Sequence, residues 1–144
     1  MTAPERRLVY LLNVGQRRMQ RWIQTRSGDG VTAAQSGLLF FLDKKDGALM
    51  REAGAALDLG PSAMSGLVDR TADAGLIERR PDANDGRAWQ LWLTPAGRTA
   101  MAQAKEGLTE LNARLTDGFT DAEIDVVARW LASLQTKFPT GDEQ

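Results

Sequence analysis

The stretch from Leu57 to Ile77 constrains the fold of this 144-residue chain more than any other. Gly60 interrupts one helical pattern. Pro61 suits the first position of the next helix, because its fixed φ is helical and its missing N–H would have no intrahelical partner there. Apolar residues then recur every three or four positions, and Gly75 suits the left-handed residue that ends a helix. These signals predict a helix-turn-helix whose second helix buries Met64, Leu67, Val68 and Thr71.

The opposite face of that second helix, predicted over residues 61–74, carries small and polar side chains. Small side chains let a helix sit deep in the major groove of DNA, and serine can reach base edges or phosphates without requiring one base. The residues expected to contact DNA are Ser62, Ala63, Ser65, Gly66 and Arg70. Roles other than DNA contact are open for the serines, Arg70 and Gly66. The serines could be ordinary first-turn residues, Arg70 could pair with Asp69 or Asp73, and Gly66 either permits close approach of the backbone to DNA or is incidental.

A strand, a turn and a second strand are predicted over residues 76–93. Proline, asparagine, aspartate and glycine between positions 81 and 86 supply the turn. In the return strand Trp89, Leu91 and Leu93 alternate with the outward positions, so one face is expected to be buried. Trp92 belongs to the other face, where it could pack at an interface or at the rim. Thr94 and Pro95 resemble the N-cap and first-turn proline of a further helix.

The helix-turn-helix, followed by Asp85-Gly86-Arg87 and then by Leu91-Trp92-Leu93-Thr94-Pro95-Ala96-Gly97, resembles the MarR family of bacterial transcriptional regulators. The resemblance covers nearly the whole chain. It implies a mainly α fold: a winged helix-turn-helix with a two-stranded wing hairpin and with N- and C-terminal dimerisation helices. It also implies one domain over residues 1–144, with a DNA-binding lobe at about 30–97 and a helical dimerisation region at about 5–26 and 98–138.

The same resemblance implies roles for the wing. The helix over residues 61–74 would enter the major groove, and Arg87 would reach the neighbouring minor groove while Asp85 holds the arginine side chain in position. A narrow minor groove concentrates negative potential, which favours an inserted arginine. Arg80 is a further candidate for DNA contact. Alternatively, Arg87 is a solvated turn residue paired with Asp85, an exposed contact that would contribute little.

Three helical stripes lie towards the ends of the chain, and stripes of this kind need partner helices. One protomer has too little core to cover all three, so we expect a two-fold homodimer whose DNA lobes lie about one helical turn, roughly 34 Å, apart. The alternative is packing within one chain. Capping boxes are predicted at Thr32 with Gln35 and at Thr120 with Glu123, the latter with a hydrophobic staple from Phe119 to Ile124. The stripes are Leu8, Leu12, Gly15, Met19 and Trp22; Met101, Ala104, Leu108, Leu111 and Leu115; and Ile124, Val127, Leu131, Leu134 and Phe138.

Composition excludes several classes of site. The chain has no cysteine and no histidine. This removes disulfides, thiolate metal sites, the usual zinc ligand and the usual general base. The acids are scattered, so we expect no catalytic residues, no metal, no cofactor and no enzyme activity. No apolar run approaches the roughly 20 residues of a membrane span. We expect no signal peptide and a cytoplasmic protein without membrane contact.

Of the sequence features, the net charge gives the weakest support for DNA binding. The formal net charge is −1, and residues 51–98 hold six arginines against seven acids. A winged-helix module that binds protein without binding DNA therefore remains the alternative. The favoured function is a homodimeric repressor that binds a pseudo-palindromic operator and is released by a small ligand.

The resemblance further implies a pocket for an aromatic or anionic effector. Arg18, Arg21 and Trp22, together with Arg17, are the candidate residues, since arginine can pair with a carboxylate while an indole stacks. Alternatively, these arginines form a solvated face.

Overall fold

The computed structural model describes residues 6–27 and 30–139. Within them lie six helices and one small sheet, and no helix there combines the length and the apolar composition needed to cross a membrane. The elements in chain order are α1 (Leu8–Ser27), α2 (Ala33–Lys44), β1 (Ala48–Leu49), α3 (Met50–Leu57), α4 (Pro61–Asp73), β2 (Ile77–Pro81), β3 (Trp89–Leu93), α5 (Pro95–Thr116) and α6 (Asp121–Lys137).

The described residues form two compact units, and the boundary between them falls within α5, after Ala104. The first unit has a continuous core. The predicted inner face of α4 is confirmed, because all four of its residues are buried. In the run of five apolar residues on α2, three are buried, and Phe40 and Phe41 pack against the core from its margin. The largest fully buried side chains are Leu38, Leu39, Leu42, Leu67, Val68, Thr71 and Leu91.

The helix-turn-helix forms where the sequence predicts it. Asp58 ends α3 in the left-handed conformation, with φ 55°, which aspartate tolerates better than most residues. Gly60 is the N-cap of α4, and Pro61 is its first residue. Gly75 follows α4 with φ 76°, and Leu76 folds back against the core. The predicted break before α4, its start and its end are therefore all confirmed.

The sheet has three antiparallel strands in the order β1-β3-β2. The predicted hairpin is present, with Ile77 opposite Leu93 and Pro81 opposite Trp89. The sequence did not predict β1, which pairs Ala48 with Leu91. A strand of two residues is too short to show an alternating pattern, so its pairing with β3 left no local signal.

The second unit, described over residues 105–139, contains the end of α5 and all of α6. The capping box of α6 is confirmed: the hydroxyl of Thr120 accepts from the backbone N–H of Glu123 at 3.2 Å. Hydrogen bonds from the backbone N–H and then the hydroxyl of Thr120 lower the pKa of Glu123, so this contribution to stability is lost as the pH falls through that lowered value. Phe119, the residue predicted to form a hydrophobic staple with Ile124, is 61% exposed, and the staple stays a prediction. No side chain in residues 105–139 is buried, so this unit has no core of its own.

Among the described glycines, Gly97 has the least room for a side chain. A Cβ atom there would lie 2.0 Å from the carbonyl oxygen of Leu76. We expect Gly97→Ala to lower the free energy of unfolding by about 2–3 kcal/mol, because backbone has to move. Urea unfolding at fixed protein concentration measures this change.

Gly107, also in α5, is the matched control, since a Cβ atom there would meet nothing within 4 Å. Gly107→Ala should raise the free energy of unfolding by about 0.5–1 kcal/mol through helix propensity. Equal effects of the two substitutions would contradict the steric explanation.

Candidate nucleic-acid interface

The exposed face of α4 gathers the residues that the sequence proposed for it. Ser62, Ala63, Ser65 and Arg70 are exposed, whereas Gly66 is half-buried in their midst. The helical spacing places Gly66 at the centre of this face, opposite the buried residues. The surface offers hydroxyl groups, bare backbone and one guanidinium.

The wing tip is a closed turn. Asp82 donates its backbone N–H to the carbonyl oxygen of Ala88 at 3.0 Å, and Ala88 donates to Asp85 at 3.0 Å. The carboxylate of Asp85 accepts from the backbone N–H of Arg87 at 3.0 Å. Asp85 therefore holds the backbone of Arg87 and not its side chain, which corrects the expected contact. In the described residues, the Arg87 guanidinium makes no hydrogen bond or ion pair, and it is exposed at the tip.

Arg80 occupies a different position from Arg87. Its guanidinium pairs with Glu78 at 3.3 Å and lies over the ring of Trp92, 4.9 Å from the centroid. The Trp92 ring also packs against Gly47, and its Nε1 donates to the side chain of Gln90 at 3.1 Å. Trp92 is thus packed within its own chain, and Arg80 is engaged on the outer face of the sheet.

Ion pairs divide the basic residues of the winged helix into two groups. The paired group consists of Lys45 with Glu52, Arg79 with Asp69, Arg80 with Glu78, and Arg98 with Asp46. Within the described residues, the side chains of Lys44, Arg51, Arg70 and Arg87 make no hydrogen bond or ion pair. Lys44 is the last residue of α2, whereas the three arginines lie in the first turn of α3, on the exposed face of α4 and at the wing tip. The sequence count of six arginines and seven acids could not separate paired from unpaired charge.

The carboxylate of Glu52 is held by two hydrogen bonds, one of them from Lys45. The Lys45 ammonium donates to the Glu52 carboxylate, and the backbone N–H of Leu49 donates to it at 3.0 Å. These two hydrogen bonds, the one from Lys45 contributing more, lower the pKa of Glu52. The acid nearest to Arg51 in sequence is therefore satisfied by another cation.

Arg51 and Arg87 both line one cleft of about 280 Å³. Sequence reasoning did not place Arg51 in the site. The two arginines belong to different elements, and only the pairing of β1 with β3 brings the start of α3 next to the wing. The cleft is lined by Leu49, Met50, Arg51, Asp85, Arg87, Ala88 and Trp89.

Asp46 anchors the base of the wing and was also missed. One carboxylate oxygen accepts from the backbone N–H of Leu93 at 2.9 Å, and the other accepts from Arg98 at 2.8 Å. Both partners lie far from Asp46 in sequence, so no motif identifies this contact. Asp46 ties the end of β3 to the loop after α2.

The candidate effector residues all lie on α1. Arg18 and Arg21 are exposed, and Trp22 is half-buried with the guanidinium of Arg26 over its ring at 4.9 Å. Their role in ligand binding stays a prediction. In the described part of the chain, no group of three or more acidic side chains is placed to hold a metal ion.

Comparison with known proteins supports this fold. A model of the MarR family matches residues 29–88. The HTH-type transcriptional repressor MdtR of Bacillus subtilis is 27% identical over 122 residues, which are 85% of this chain and 79% of the repressor.

Two solved structures are similar over most of their length. The PcaV transcriptional regulator from Streptomyces coelicolor, in complex with its natural ligand, has a TM-score of 0.86 and 21% identity, and the match covers 94% of this chain and 98% of that one. A mutant MarR from E. coli, complexed with operator DNA, has a TM-score of 0.76 and 24% identity, covering 89% of this chain and 91% of that one. The expected winged-helix fold is confirmed.

Asp46 gives a direct test of how the wing base is held. Asp46→Ala leaves the half-buried N–H of Leu93 without its acceptor and should lower the free energy of unfolding by about 1–3 kcal/mol. Arg98→Ala removes only the exposed partner and should cost less than about 1 kcal/mol. Urea unfolding of both variants at neutral pH checks the order. A larger loss from Arg98→Ala would show that the ion pair, and not the backbone contact, stabilises the junction.

Proposed function

This chain belongs to the MarR family, and on that premise we propose that it is a homodimeric transcriptional regulator that binds double-stranded DNA. The observation that carries the proposal is the placement of the three unpaired arginines of the winged helix. Arg51, Arg70 and Arg87 lie on α3, α4 and the wing, the elements that a winged helix presents to DNA. Unpaired guanidinium groups on these elements favour phosphate and groove contacts.

Each element would meet a different part of the duplex. α4 presents small side chains to the major groove, which admits a helix. Arg87 would enter the adjacent minor groove, where negative potential favours arginine. Arg51, beside it in the cleft, is placed for a phosphate of the intervening backbone. Together these contacts would fix position on DNA and read groove shape, with few direct base contacts.

The sign of regulation and the response to ligand are inferred from relatives. MdtR is described as a repressor, and PcaV was solved with its natural ligand. We extend both to this chain: it would occupy a pseudo-palindromic operator, and a small ligand would release it by favouring a dimer geometry that no longer fits successive grooves.

The proposed homodimer rests on apolar residues that one chain leaves open. α1 has no buried side chain among residues 8–26, and the second unit has none over residues 105–139. Their stripes include Leu8 at 50%, Leu115 at 53% and Phe138 at 76% exposure. Apolar stripes of this size are rarely left to solvent. A second copy of the chain would cover them.

One observation favours a second candidate function, a winged helix that binds protein in place of DNA. The net charge is −1, and four of the cations near the site are already paired with acids. Titration with a generic duplex at low salt separates the two candidates. DNA binding should appear and weaken steeply as salt rises. No binding at low salt would favour the protein-binding module.

Arg87→Ala tests the wing. Loss of the guanidinium should weaken binding to a duplex from the region upstream of the protein's own coding sequence by about 1–3 kcal/mol, and the slope of affinity against salt should fall by about one. Gel shifts at several fixed salt concentrations measure both. Arg129→Ala, an exposed arginine on α6, is the control with the same change of charge. If both variants bind like the wild type, the wing assignment is wrong.

Leu131→Asp tests the dimer. Leu131 is 43% exposed on the apolar stripe of α6. A carboxylate there should produce monomers, because burying an unpaired charge in the interface is costly. Sedimentation equilibrium gives the mass. Thr136→Asp introduces the same charge on the opposite side of α6 and should leave the dimer intact. Dimers from both variants would exclude this face from the interface.

A further inference from the structure

Gly66 is the least expected residue of α4. Glycine within a helix costs up to about 1 kcal/mol relative to alanine, so its presence needs a reason. It lies at the centre of the exposed face, yet it is half-buried while Ser62, Ala63 and Ser65 are exposed. Something therefore covers Gly66.

The covering group is the side chain of Arg70. A Cβ atom at position 66 would lie 3.1 Å from Nη1 of Arg70, which is tighter than an ordinary van der Waals contact. Helical side chains point back towards the N-terminus of their helix, and Arg70 is one turn beyond Gly66. The guanidinium thus lies about 6 Å nearer the start of α4 than its own Cα, in the space left by the missing side chain.

The neighbouring acids leave Arg70 available. Asp69, beside it in sequence, accepts from the guanidinium of Arg79 on β2. Nor does Arg70 pair with any other residue in the described parts of the chain. The Asp69–Arg79 pair therefore occupies one of the two acids expected to compete for Arg70, and Asp73, one turn further along α4, makes no ion pair with it.

Arg70 is also the one long hydrogen-bond donor on α4, every residue of which is described. The serines on the same face accept contacts with any base. Arg70 is therefore the side chain of this face that can make two hydrogen bonds to one base. The N-terminal half of a recognition helix is the part that meets base edges, and Arg70 reaches that half by folding over Gly66.

We propose that Arg70 reads a guanine in each half-site, and that Gly66 is the positioning residue that gives the guanidinium its place against the helix. The inference rests on the proposed function. An arginine makes two parallel hydrogen bonds to guanine O6 and N7, the commonest specific contact in the major groove. The missing side chain at position 66 leaves the space in which the guanidinium lies.

The test is selection of bound duplexes from a pool with a randomised central region, followed by sequencing. Wild-type protein should enrich a motif with guanine at one fixed position of each half-site. R70A should lose that preference alone, and its affinity for the wild-type motif should fall roughly 5- to 150-fold. R70K keeps the charge but lacks the planar fork, so it should bind DNA with a weaker preference for guanine than the wild type and a stronger one than R70A.

Gly66→Ala separates positioning from stability. It should raise the urea midpoint, since alanine favours helix, yet weaken the guanine preference by roughly 2-fold or more. In the R70A background the same substitution should no longer change base preference. Gly107→Ala, on α5, should raise the midpoint and leave the motif unchanged.

Three outcomes would overturn the inference. An unchanged motif with R70A would reduce Arg70 to a phosphate contact. Equal losses from Gly66→Ala with and without Arg70 would show that Gly66 serves close approach to DNA by itself. In either case the proposed function stands. If wild-type protein enriches no sequence at all, the inference and the proposed function fail together.

Discussion

The junction around Thr94 fixes the geometry that the candidate interface depends on. The Thr94 hydroxyl donates to the carbonyl oxygen of Gly75 at 2.6 Å and accepts from the backbone N–H of Gly97 at 3.0 Å. Its backbone N–H donates to Leu76 at 3.2 Å, and Gly97 lies directly against that carbonyl. One threonine therefore connects the end of α4, the end of β3 and the start of α5. These contacts hold the end of α4 against the base of the wing.

Local chemistry explains why much of this could be predicted from sequence. Pro61, Gly75 and the Thr120 capping box act within one turn of helix, so their effects are visible in a few consecutive residues. The buried face of α4 follows from helical spacing alone. By contrast, β1 is recognisable only through its pairing with β3, and Asp46 only through partners at Leu93 and Arg98. Contacts between distant parts of the chain leave no short pattern.

The arginines of the candidate site also differ in how much the sequence reveals about them. Sequence identified the motif around Arg87, because turn chemistry surrounds it, but treated Arg80 and Arg70 alike. In the structure Arg80 is engaged by Glu78 and Trp92, whereas Arg70 has neither an ion pair nor a hydrogen bond among the described residues. Pairing is a property of the folded surface. A chain with almost no net charge can thus still present unpaired cations on the three elements that would face DNA in the proposed function.

The two ends of the chain pose a different physical problem from the winged helix. The winged helix buries its own leucines, but α1 and residues 105–139 bury no side chain among those described. Isolated helices of this kind gain little stability in water without a packed face. In the proposed homodimer their folding would depend on a second copy, and apparent stability would rise with protein concentration. DNA binding would share that dependence, since two winged helices are needed to hold two successive grooves.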